Sequence, residues 1–200
     1  RLFILREDLP IITKAFQNRL LHISRSVSLG DPEKKIKHHL NLLTINMHHL
    51  YRGDLDDYTL RIQFQSARNL AQFILDKPKL LKPVFQHYHQ QKGHHYLYSH
   101  PILSSLALLG VLKESRQFTD KEIENLFLTS FFRDIGMSLI SEQVYQNNSY
   151  QQNLFNDHPA NSFDLLKDRV PLSVTFLNII KNPPPFAPPS TTTNSFPELT

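Results

Sequence analysis

The chain has 200 residues with 40% hydrophobic and 20% charged content, enough for one well-cored domain and unlike a disordered or collagenous chain. It contains no cysteine, which excludes disulfides, thiolate metal sites, thiol nucleophiles and iron–sulfur clusters. The formal charge of +4 is unevenly spread: residues 1–100 carry 15 Lys+Arg against 8 Asp+Glu, and residues 101–200 carry 7 against 10. The 13 prolines outnumber the 5 glycines, no glycine follows Gly136, and no glycine-rich phosphate loop is present.

Apolar spacing is helical almost throughout and no period-2 run occurs, so the chain reads as all-α. Asp8 precedes a stripe of Ile11, Ile12, Ala15, Phe16 and Leu20. Asp31-Pro32 supplies a cap and a first-turn proline for a helix carrying Ile36, Leu40, Leu43, Met47 and Leu50, which Gly53 breaks. Lys34-Lys35-Ile36-Lys37 near its start reads as a solvated face. Asp56-Asp57 opens the next helix, with Leu60, Phe64, Ala67, Ala71 and Ile74 on one face, and Pro78 ends it. A shorter helix through Val84 and Tyr88 follows, then a turn at Gly93.

From about Ser99 to Lys113 the stripe is Ile102, Leu103, Leu106, Leu109 and Leu112, with Pro101 expected in the first turn. Thr119-Asp120-Lys121-Glu122 is a capping box, with Phe118 and Ile123 placed as a hydrophobic staple. That helix is expected to run to Arg133-Asp134, with Gly136 stopping it. Ser141–Gln146 reads as a short helix and 147–153 as a polar loop. His158-Pro159 and Pro171 each open a further helix. After Asn182 the prolines at 183–185 and 188–189 exclude helix, so an extended tail is expected. The organisation read from this is an N-terminal helical region over 1–78, a helical core over 79–182 and a proline-rich tail over 183–200.

The longest apolar stretch, near Leu106–Leu109, is far too short to cross a bilayer, and no basic n-region with an apolar h-region is seen, so no signal peptide is expected. The expectation is a soluble, cytoplasmic protein. No nucleic-acid-binding module is recognisable, so nucleic acid is not expected as a partner.

Three residues near helix ends, His100, Asp134 and His158, suit metal chemistry, because imidazole and carboxylate ligands on different helices converge in bundles. Iron, manganese or zinc would match such a set. His87, His89, His94 and His95 crowd ahead of His100 and read as polar-face and loop residues. His38-His39 and His48-His49 share one helix, but no carboxylate completes a zinc pattern there.

The segment Tyr96-Leu97-Tyr98-Ser99-His100-Pro101-Ile102 resembles the first histidine motif of the HD-GYP family. The segment Phe131-Phe132-Arg133-Asp134-Ile135-Gly136-Met137-Ser138-Leu139-Ile140 resembles its central LLHDIGKIGIP motif, and Asn156-Asp157-His158-Pro159 its following KxHP motif. The likeness covers roughly residues 57–182. The family comprises all-helical bacterial domains that bind two or three metal ions, and active members hydrolyse cyclic di-GMP. The resemblance therefore implies an HD-domain-like bundle with additional N-terminal helices and metal positions at His100, Asp134 and His158.

The departures from that pattern concern the same centre. Arg133 stands where the family has the histidine of its HD pair, and a guanidinium has no lone pair for a metal. Met137 replaces the usual lysine, Asn182-Pro183-Pro184 stands where a His-His-Glu motif is expected, and no Gly-Tyr-Pro follows. Successive helical residues diverge by roughly 100°, so Arg133 points either to solvent or into the site, where it would neutralise Asp134 in place of a cation. The resulting expectation is a degenerate, non-hydrolytic signalling domain without a cofactor, binding cyclic di-GMP or a protein partner. The alternatives are a residual metal-dependent cyclic di-GMP phosphodiesterase, and a helical scaffold with a basic, nucleic-acid-associated N-terminal half.

Overall fold

A computed structural model describes residues 6–26, 32–52, 55–90, 96–140 and 156–183. Among these the protein is all-α and contains no strand. Its helices are α1 (Leu9–Ser26), α2 (Pro32–Arg52), α3 (Asp57–Asp76), α4 (Leu81–Gln90), α5 (Tyr96–Ser115), α6 (Asp120–Phe132), α7 (His158–Leu166) and α8 (Val174–Lys181). A 3-10 turn, Ile135–Leu139, follows α6.

Helix α3 lies at the centre. Asp56 caps it, its carboxylate accepting from the Thr59 N–H at 2.8 Å. Twelve of its 20 residues are buried, because it packs against α1, α2 and α6 at once. The stripes on α2 and α3 are buried as their spacing predicts: Ile36, Leu40, Leu43, Met47 and Leu50 on one, and Leu60, Phe64, Ala67, Ala71 and Ile74 on the other. Phe64 stacks on Phe132 with ring centroids 5.7 Å apart, which joins α3 to the end of α6. One hydrophobic cluster extends from Leu20 to Ile180.

Buried polar pairs fix the helices lengthwise, since such groups must be satisfied and so admit one register. Gln17 Nε2 donates to Thr59 Oγ1 at 2.9 Å, linking α1 to α3. Asn46 Nδ2 donates to Gln63 Oε1 at 2.7 Å, linking α2 to α3. The Thr44 and Tyr88 hydroxyls lie 2.6 Å apart, linking α2 to α4, and burial pushes the Tyr88 phenol up to about 12. Glu124, buried on α6, accepts from Arg68 Nε at 2.9 Å, Gln72 Nε2 at 2.7 Å and Lys121 Nζ at 2.6 Å. Hydrogen bonds from Arg169 to the Asp57 carboxylate and the Leu55 carbonyl tie the α7–α8 connection to the start of α3.

Several sequence expectations are corrected. The buried side chains of α1 are Gln17, Leu20 and Ser24, whereas Ile11 is 70% exposed and Phe16 41%. Leu20 is the one fully buried member of the expected stripe, and Gln17, one turn before it, is buried with its amide bonded to Thr59. Helix α5 starts at Tyr96, so Pro101 lies inside it rather than in its first turn, and one rung of the helical ladder is missing there. Helix α6 ends at Phe132, before Gly136, which serves another purpose described below. Helix α8 starts at Val174, with Ser173 at its N-cap position, rather than being opened by Pro171. The capping box is present, with Thr119 Oγ1 accepting from Glu122 N–H and Glu122 Oε2 accepting from Thr119 N–H. The short helix expected at Ser141–Gln146, the loop after it, Gly93, and the tail from 184 onward lie outside the described residues.

Candidate functional site

His100 sits in the second turn of α5, Arg133 caps the end of α6, Asp134 begins the 3-10 turn, and His158 opens α7. These four residues come from three helices and the turn between two of them. Close packing of α5 on α6, and of the 3-10 turn on α7, brings them together.

Two hydrogen bonds set the Asp134 turn. Tyr51 at the end of α2 donates its hydroxyl to the Asp134 carbonyl at 2.9 Å. The Gly136 N–H donates to Ser162 Oγ of α7 at 2.7 Å. Gly136 is required here by space. A Cβ on it would lie 2.3 Å from the His158 carbonyl oxygen, 2.6 Å from the Ser162 nitrogen and 2.8 Å from Ser162 Oγ. The missing side chain lets the turn seat directly on the first turn of α7, which carries His158.

The Asp134 carboxylate is 15% exposed. Arg133 grips it bidentately, with Nε 3.0 Å from Oδ1 and Nη2 3.1 Å from Oδ2. His158 Nε2 stands 3.3 Å from Oδ1 and His100 Nε2 stands 3.9 Å from Oδ2. Arg133 Nη2 also lies 3.3 Å from His100 Nε2, so one guanidinium nitrogen is within reach of both the carboxylate and that imidazole, with the Arg133 side chain 44% exposed. Burial alone would raise the Asp134 carboxyl. Hydrogen bonds from His158 and Arg133, together with the Arg133 charge, outweigh burial and hold it at about 2. His100 is lowered from its ordinary value, first by burial and then by Arg133, against the opposing pull of Asp134.

Asp134 is therefore an ionised carboxylate whose charge is met from within the chain. Its acidity is far from the near-neutral range of an efficient general base. Both carboxylate oxygens that would face a metal ion face the guanidinium instead. A cation there would stand against Arg133, so the donor set does not fit a divalent ion with Arg133 in this position. Among the described residues, no group of three or more His, Asp or Glu side chains is arranged to hold a metal ion.

The remaining positions are dispersed. Met137 is half-buried against the core, its N–H bonded to the Asp134 carbonyl at 3.0 Å. Asn182 ends α8 and bonds back to the Asn178 carbonyl of its own helix; it and Pro183 are exposed. His87 and His89 lie on α4, the former half-buried and the latter exposed, while His94 and His95 fall outside the described residues. His39 is fully buried, and burial drives its imidazole down to about 3. His48 packs edge-on to Tyr98, centroids 4.9 Å apart, and Tyr98 is in turn 6.0 Å from Tyr51.

Tyr51 and Ser162 are the positioning residues that sequence reasoning missed. Tyr51 falls at i+4 from Met47 and continues the buried stripe of α2, but its partner is 83 residues away. Ser162, at i+4 from His158, carries no signal in the sequence that would single it out.

Comparison with protein-family models, characterised proteins and solved structures gives no match. Among the described residues, no helix is long and apolar enough to cross a membrane.

Proposed function

We propose that this chain is a degenerate HD-GYP-like signalling domain that acts by binding rather than by hydrolysis. The observation that carries the reading is the Arg133 guanidinium, bidentate on Asp134 and 3.3 Å from His100. The motif resemblance assigns a metal-binding histidine to position 133, and a permanent cation now answers the carboxylate there. A buried carboxylate left without a counter-charge costs several kcal/mol, on the order of 3–5. Arg133 thus preserves the fold of the site without a metal, and selection on the domain falls on recognition of cyclic di-GMP or of a protein partner.

Calorimetry with cyclic di-GMP, with and without added manganese, tests this. Saturable binding without turnover identifies a nucleotide receptor, and absence of binding identifies a protein-interaction module. Manganese-dependent turnover would overturn the reading. It would favour the second one, a residual phosphodiesterase, which draws support from His158 Nε2 and His100 Nε2 standing 3.3 Å and 3.9 Å from the two oxygens of the Asp134 carboxylate. Metal analysis of protein purified without chelator separates the two independently.

A further inference from the structure

A second concavity lies where the first turns of α1, the end of α2 and the start of α3 meet. Leu9, Lys14 and Gln17 of α1, His49 of α2, and Asp56 and Tyr58 at the start of α3 line one cleft of about 670 Å³. That volume falls within the range of small-molecule pockets, roughly 300–1,000 Å³. Leu9 and Tyr58 are each 49% exposed, so the cleft has apolar wall surface open to solvent.

Its polar groups have a fixed direction, set by Asp56. An ionised carboxylate only accepts hydrogen bonds. The Thr59 hydroxyl therefore donates to Asp56 Oδ2 at 2.6 Å, and its oxygen accepts from Gln17 Nε2 at 2.9 Å. The Gln17 amide is thus held with Nε2 on Thr59, which leaves Oε1 as an acceptor. Gln17 is only 5% exposed, yet Oε1 is not closed to solvent and has no donor among the described residues. Each Asp56 oxygen accepts one bond from Thr59 and keeps capacity for another. Burial pushes the Asp56 carboxyl up, but hydrogen bonds from Thr59 outweigh it and hold the group below its ordinary value. Lys14 brings a permanent cation to the same cleft, with no carboxylate paired to it among the described residues.

The cleft therefore offers two acceptors for an ammonium group, Asp56 and Gln17 Oε1, and one cation for a carboxylate, Lys14, beside apolar walls. A simple amine would meet Lys14 unfavourably, and a simple anion would meet Asp56 unfavourably, so a ligand carrying both charges suits it best. We propose that this cleft binds a small zwitterion of the amino-acid class with an apolar side chain, as the free amino acid or a dipeptide. The site shares no residue with the His100–Asp134–His158 centre and is independent of the reading given for it.

The test is titration of the isotopically labelled full chain with L-leucine and with L-leucyl-L-leucine, followed by amide chemical shifts. At least one of the two should bind saturably and shift the amides of Lys14, Gln17 and Thr59. The C-terminal amide of that ligand lacks the carboxylate, and its N-acetyl derivative lacks the ammonium. Each should bind roughly three- to tenfold more weakly. Lys14 is exposed, so Lys14→Gln leaves the core intact. It should weaken the zwitterion by a similar factor without weakening the C-terminal amide. Lys82→Gln removes an exposed charge from α4, outside the cleft, and should leave every affinity unchanged. No saturable binding by either zwitterion, or blocked derivatives that bind as tightly as the parent ligand, would overturn the proposal. So would a loss in Lys14→Gln as large for the amide as for the zwitterion, or an equal loss in Lys82→Gln.

Discussion

Replacing Gly136 by alanine is the sharpest perturbation available, because one methyl group meets three atoms of a neighbouring helix. The added carbon would stand 2.3 Å from the His158 carbonyl oxygen and 2.6 Å from the Ser162 nitrogen. Ordinary contact begins near 3.4 Å, so the carbonyl must retreat by about 1.1 Å (3.4 less 2.3). Both are backbone atoms, and as residues i and i+4 they belong to the first turn of α7, next to the Asn161 N–H to Asp157 carbonyl bond that opens it. No side-chain rotation relieves the clash, so either α7 or the Asp134 turn must move. Overpacking of this kind costs about 1–3 kcal/mol. Separating Gly136 N–H from Ser162 Oγ, now 2.7 Å apart, leaves a buried donor unpaired and adds about 1–3 kcal/mol. The expected loss is about 3 kcal/mol or more, a fall in thermal midpoint of roughly 6–12 °C for a chain of this size. The assay is thermal unfolding followed by circular dichroism. Gly110→Ala provides the contrast, since its added carbon would meet only the flexible end of Leu81, Cδ2, at 3.0 Å. It sits inside α5, where alanine is favoured by about 1 kcal/mol, so it should be neutral or stabilising. A midpoint for Gly136→Ala within about 2 °C of the parent would refute the close seating of the turn on α7.

Further outcomes concern charge and burial. Asp134, held at about 2 against an ordinary 3.8, stabilises the fold above about pH 4, and that contribution of roughly 2 kcal/mol is lost as pH falls through 2. Arg133→Gln should raise the carboxyl and move acid destabilisation to higher pH, as read by denaturation at stepped pH; an unchanged acid limb would count against the ion pair. His39, buried and pushed down to about 3 from 6.5, takes up its proton in the unfolded chain first. Stability attributable to it is full above pH 6.5 and falls as pH drops toward 3, by about 1.4 kcal/mol per unit. His39→Leu should therefore shrink the difference in unfolding free energy between pH 7 and pH 5 by about 2 kcal/mol, measurable by urea titration at the two values. Glu124→Gln keeps the shape of its side chain but removes the charge that Arg68 and Lys121 face. A loss of about 1–3 kcal/mol in urea unfolding is expected, and a neutral result would show that this network contributes little.

Much of the helical frame was legible because it rests on local rules. The stripes of α2, α3 and α5 declare their buried faces through 3.6-residue spacing, and Thr119 to Glu122 declares a helix start, since both depend on neighbours within a few residues. His100, Asp134 and His158 could be named as candidates from residue type, position and motif resemblance. The failures have one cause as well. Helix α1 buries Gln17 beside Leu20 while Ile11, Ala15 and Phe16 of its apolar stripe stay exposed, and the partner of Gln17, Thr59, is 42 residues away. Gly136 looked like a helix terminator, yet its lack of a side chain answers the backbone of α7.

The amino-acid sequence by itself determined an all-α chain, most of its helix starts and stops, its basic first half and the residue types at the candidate centre. Only the tertiary structure decided which way Arg133 points. Rotation about its side chain is free in the sequence, and the paired oxygens of Asp134 hold the guanidinium across the carboxylate while the Arg133 side chain stays 44% exposed. Asp134 is the next residue in the chain, but His100 and His158, which stand against its carboxylate, lie on other helices, and periodicity along one helix carries no information about what faces it.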